Sequence, residues 1–75
     1  MMYKIRLGGT NDFVSKIDPY YNLCAPPGIV EFVNGWTNPD ALVYETEGHA
    51  KTAEKLIWDI EGFHTSIEEV KEYDE

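Results

Sequence analysis

Residues Ile29-Val30-Glu31-Phe32-Val33-Asn34-Gly35-Trp36 read either as a strand or as a helix, and the choice decides the fold. The β-branched content and the Asn34-Gly35 pair suggest a strand running into a hairpin turn. Ile29, Val30, Phe32, Val33 and Trp36 also match helical spacing, with Pro26 and Pro27 starting the helix and Gly35 ending it. The strand is favoured, because the other strand-like segments otherwise lack partners for a sheet. Pro26-Pro27-Gly28 just ahead is a strong break, and Pro27-Gly28 suits the centre of a type II turn.

Upstream, Tyr3-Lys4-Ile5-Arg6-Leu7 alternates apolar and cationic side chains, the pattern of a half-buried strand, and Gly8-Gly9 ends it. Thr10 is placed to cap a short helix from Asn11 to Ile17, with Asp12 at its dipole and Phe13, Val14 and Ile17 as its apolar face. Asp18-Pro19 stops that helix. Downstream, Asn38-Pro39-Asp40 reads as a turn and Ala41 to Thr46 as a strand.

The clearest helix runs from about His49 to Glu61, with Ala50, Ala53, Leu56, Ile57 and Ile60 on one side. Gly62 suits a left-handed C-cap, with Phe63 folding back onto the last turn. Ser66 with Glu69, or Thr65 with Glu68, forms a capping box for a short C-terminal helix whose Ile67, Val70 and Tyr73 dock on the domain. A strand from Ser66 to Tyr73 is the alternative, completing a β-α-β-β-α-β order. The expected architecture is α+β: a small antiparallel-type sheet of three or four strands, one main helix packed on it, and the short C-terminal helix.

The 75 residues fit one domain, 1–75, and a hydrophobic fraction of 43% with ten aromatic residues is enough to form a core. Cys24 stands alone, so no intramolecular disulfide is expected. The Met-Met-Tyr-Lys-Ile start lacks the apolar region of a secretory signal, and no apolar run approaches the ~20 residues needed to span a bilayer. A cytoplasmic protein is expected, in the host cytoplasm if the gene belongs to a phage.

The formal charge of −8 is unevenly placed. Residues 1–38 hold three basic and three acidic groups, whereas residues 39–75 hold three basic groups against eleven acidic ones. That field repels nucleic-acid phosphates and anionic lipid and attracts basic surfaces, of which nucleic-acid-binding proteins are common owners. An acidic surface also simply keeps a small protein soluble.

Two acidic groups stand out. Glu47, Glu54 and Glu61 recur every seven residues and so form one line along the helix, with Trp58 beside it. Glu68, Glu69 and Glu72 cluster in the tail, where carboxylates a helical turn apart approach the spacing of nucleic-acid phosphates. Trp36, Tyr20 and Tyr21 fall in or beside loops, where a large aromatic either packs under the domain or meets a partner.

Catalytic signals are weak. His49 and His64 stand at opposite ends of the long helix, and neither is near Cys24 in sequence, so no metal site, cofactor site or nucleophile pair is expected. Gly8-Gly9-Thr10-Asn11 lacks the further glycines and the lysine of a phosphate loop and reads as a turn. The histidine that histidine phosphocarriers place after their first strand is absent from Gly8–Asp12, and so is the Asp-Ser-Leu site of acyl carrier proteins.

These features suggest a non-enzymatic acidic binding protein that docks on a basic surface of a nucleic-acid-binding protein. Glu47, Glu54, Glu61, Glu68, Glu69 and Glu72 would be its contacts, with Trp58 and Trp36 as apolar anchors. In size and charge alone it looks like phage-type inhibitors of the anti-CRISPR or anti-restriction style. The rival reading is a small regulatory or structural subunit that holds its partner through an aromatic patch of Trp36, Tyr20 and Tyr21.

Overall fold

The computed structural model describes residues 2–18 and 28–70. They form an α+β fold with strands β1 (Met2–Leu7), β2 (Asp12–Asp18) and β3 (Ile29–Asn34), helix α1 (Glu47–Glu61) and strand β4 (Thr65–Val70). The sheet order is β3-β2-β1-β4 and every strand pairing is antiparallel. The strand reading of 29–36 is the observed one. Pro26 and Pro27, like Tyr20, Tyr21, Cys24, Glu72 and Tyr73, lie outside the described residues.

Three expectations are corrected. The helix expected over Asn11–Ile17 is strand β2, joined to β1 by a turn in which the Thr10 N–H and hydroxyl both donate to the Leu7 carbonyl (3.1 and 2.8 Å). Its helix-like spacing comes from a bulge between Val14 and Lys16. One extra residue resets the alternation, so Val14 and Ile17, three apart, both face the helix-side core. No C-terminal helix occurs among the described residues: Thr65–Val70 is strand β4, in register with β1 from Leu7↔Thr65 to Met2↔Val70. Ile67 lies opposite Ile5, and Glu68 opposite Lys4 beside Arg6, so a cation-bearing strand supplies the pairing that turns an amphipathic segment into strand.

The third correction concerns Ala41 to Thr46, which forms only an isolated bridge at Tyr44. β1 and β2 share one register pair, Arg6↔Phe13, and then splay apart. The chain enters that split: Tyr3 and Tyr44 exchange backbone hydrogen bonds (both 2.8 Å), and the Leu42 N–H donates to the Val14 carbonyl (2.8 Å). The segment therefore uses the facing groups of two strands instead of building a ladder with one. Gly35 (φ 101) turns the chain at the end of β3, but no hairpin follows: Trp36 packs edge-on against Phe13, and the chain then reaches the split at Leu42.

α1 starts where Thr46, extended at φ −132, accepts a hydrogen bond from the His49 N–H through its hydroxyl (3.1 Å). It ends at Gly62, left-handed at φ 74, whose N–H returns to the Trp58 carbonyl (2.8 Å); a side chain there would strain the backbone. Ala50, Ala53 and Ile57 press onto Ile5 and Val14, with Tyr3, Ile17, Val30, Phe32, Tyr44 and Ile67 around them. The two alanines let the helix sit close to the sheet, and burial of Ile57 alone contributes about 2 kcal/mol.

The other face has a smaller core. Phe13 points away from the helix and is fully buried. Trp36 meets it edge-on at 5.3 Å, and the Arg6 guanidinium lies 5.0 Å from its ring centre. The Lys4 ammonium sits 4.7 Å from the Trp36 ring and donates to the Trp36 carbonyl.

Candidate functional site

The C-cap at Gly62 throws the chain back beside the last turns of α1, and the space between becomes an open groove of 410 Å³. Lys51, Glu54, Lys55 and Trp58 line it from the helix, and Phe63, His64 and Thr65 from the returning chain. Trp58 is 51% exposed and Phe63 39%. The His64 ring tilts against Trp58 at 5.0 Å, and Phe63 reaches the Phe32 ring of β3 at 6.0 Å. Gly8 fixes the return path: its N–H donates to the His64 carbonyl (2.9 Å), and a Cβ there would stand only 3.0 Å from that oxygen.

Glu54 is the one carboxylate among the described residues that line the groove, and it is oriented, because Oε2 accepts a hydrogen bond from the Thr65 hydroxyl (2.9 Å). Lys51 and Lys55 are drawn along the helix toward Glu47 (3.8 Å) and Asp59 (3.6 Å). Such exposed i,i+4 pairs are loose and screened, so the lysine heads stay free to shift.

The sequence-derived contacts do not form one array. Glu47, Glu54 and Glu61 share α1, but Glu47 pairs with Lys51 and Glu54 is held by Thr65, while Glu61 is exposed beyond both. Glu68 and Glu69 are adjacent strand residues and so point to opposite faces of the sheet. Glu68 accepts from Arg6 Nε at 3.2 Å and from the Ser66 hydroxyl at 3.3 Å, on the face away from the helix. Glu69 is exposed and in register with Tyr3. Glu72 lies outside the described residues.

The two tryptophans separate as well. Trp58 stands open at the groove, whereas Trp36 is half-buried as the lid of Phe13. Sequence reasoning missed the share of Phe63, His64 and Thr65 in the groove. The signal was present in Gly62, since a left-handed cap reverses the chain and returns the next residues alongside the helix end.

His49 sits in the first turn of α1 and His64 beyond its end. Among the described residues no group of three His, Cys, Asp or Glu side chains could hold a metal ion, and no helix is long and apolar enough to cross a membrane. Comparison with known proteins gives no match, whether to a family model, a curated protein or a solved structure.

Proposed function

We propose that this chain is a non-enzymatic binding protein that docks on a basic surface of another protein through the groove at the end of α1. The observation that carries this reading is Trp58, a large aromatic left half in water beside the exposed Phe63, in a domain with few other large apolar groups to spare. Exposed aromatic clusters with a polar rim are the usual anchors of protein interfaces. The sign of the partner is argued from the field of the domain, five basic groups against eleven acidic ones among the described residues; at the groove itself Lys51 and Lys55 are offset by Glu47 and Asp59 beside them. Glu54 in the groove and Glu61 near it offer carboxylates to an arginine or lysine that could also lie over the indole face. The proposal stops short of phosphate mimicry, since Glu54 and Glu68 stand on opposite sides of the sheet.

The experiment is capture of host proteins on the immobilised chain at low and high salt, with Trp58→Ala beside the wild type. A basic protein should be retained at low salt and largely released at high salt, because exposed charge pairs are screened. Trp58→Ala should cost about 2 kcal/mol of binding, roughly thirtyfold in affinity, with an unchanged melting temperature. Retention by Trp58→Ala equal to wild type would remove the groove from the interface.

A further inference from the structure

β3 lies at one margin of the sheet, and its outward backbone groups can be identified. The Gly35 N–H donates inward, to the Asn11 carbonyl (2.9 Å). Residues along an antiparallel strand alternate between pairs that exchange hydrogen bonds with the neighbour and pairs that do not. Val33, opposite Phe13, is therefore turned inward and Phe32, opposite Val14, outward. Two further bonds agree. The Val14 carbonyl is used by the Leu42 N–H on its other side, and the Asn34 carbonyl, outward by the same alternation, is taken by the Asn38 side chain (3.2 Å). Val30 follows as outward. The N–H and C=O groups of Val30 and Phe32 thus face away from β2, and among the described residues no strand pairs with that side.

Chemistry narrows the occupant. A row of alternating donors and acceptors is matched by an extended backbone. β3 has a single charged side chain, Glu31 at its centre, and among the described residues its carboxylate makes no hydrogen bond or ion pair, although Lys16 is its register partner on β2. A second copy of the chain, paired antiparallel so that Val30 and Phe32 meet Phe32 and Val30, would set Glu31 against Glu31, and like charges directly opposite are destabilising. A strand with a cation at that position gains where self-pairing loses. The Phe32–Phe63 contact joins this edge to the groove, so one partner can use both.

We propose that the outer edge of β3 accepts an extended segment of a basic partner as a fifth strand, hydrogen-bonded to Val30 and Phe32 with an arginine or lysine opposite Glu31. This inference rests on the reading of the chain as a binder of basic proteins.

The test uses the full chain labelled for NMR and a short blocked peptide alternating threonine and valine around a central lysine, at millimolar concentration, with a central-glutamate peptide as comparison. The lysine peptide should slow amide hydrogen exchange at Val30 and Phe32 about tenfold. It should bind roughly threefold more tightly than the glutamate peptide, and Glu31→Lys should reverse that preference. Unchanged exchange at Val30 and Phe32, or a preference indifferent to Glu31→Lys, overturns the proposal. So does protection of the same amides that grows with protein concentration alone, since the occupant is then a second copy. The two readings fail separately: an unresponsive β3 with capture still lost in Trp58→Ala removes the edge site and leaves the groove.

Discussion

A fifteen-residue helix covers one face of the sheet, whereas an indole and two cations close the Phe13 site on the other. The helix side is layered: Ala50, Ala53 and Ile57 form a stripe over Ile5 and Val14, and the loss of one methylene is shared among many contacts. The opposite side hangs on Phe13, sealed by Trp36 and by the stems and charges of Lys4 and Arg6. Cation–π contacts of this kind gain strength as the ring is withdrawn from water. In a domain this small, a face without a second helix can still be closed, but by few groups, each of which then matters more.

The largest expected effect tests whether the second face is a true core. Phe13→Ala should destabilise by about 3–5 kcal/mol and Ile57→Ala by about 2–5 kcal/mol, measured as urea midpoints at constant slope. A cost below ~1 kcal/mol for Phe13→Ala, with Ile57→Ala still severe, would reduce the second face to decoration. Trp36→Ala comes next, at about 2 kcal/mol because the ring is only half-buried, and Trp36→Phe should restore most of the loss. If Trp36→Phe is as damaging as Trp36→Ala, the lid acts through something other than its ring.

The smallest effect concerns Tyr44, on the segment that passes from one face to the other. Burial raises its phenol above the ordinary value of 10.0, because the charged form is poorly solvated there. The folded chain then keeps a proton that the unfolded chain has lost. This contribution is fully present below pH 10 and is lost as the pH climbs through the raised folded value. Tyr44→Phe should flatten the alkaline fall in stability, followed by circular dichroism between pH 9 and about 12. An identical alkaline profile would mean that Tyr44 is not closed off from solvent.

How much was legible in the sequence follows from the same contrast. α1 was readable because its stripe and its Gly62 cap are local, and β1 because its alternation is uninterrupted. β2 was read as a helix because the bulge between Val14 and Lys16 gives a strand the three-residue spacing of a helix. β4 was read as a helix because polar residues at Thr65, Ser66, Glu68 and Glu69 fit capping boxes. Only the distant Lys4 and Arg6 show why Glu68 belongs in a strand. Segment 41–46 has strand composition but no single neighbour, since its hydrogen bonds go to both Tyr3 and Val14.

Within the site, Trp58 and Glu54 could be placed on one helix from periodicity. The scattering of Glu68 and Glu69 onto opposite faces could not, because it depends on the tail being a strand. Trp36 is similar: an aromatic in a loop gives no sign of which ring it covers until β1 and β2 are aligned.

The pairing of β1 with β4 joins the first strand to the last among the described residues, with Met2 opposite Val70. During synthesis β1 emerges before β4, so the flank that pairs with β4 waits for residues that have yet to be translated. β2 cannot shield it, since it lies on the opposite flank of β1. Closure of that flank therefore needs the chain through Thr65–Val70, a non-local pairing of the kind that slows folding.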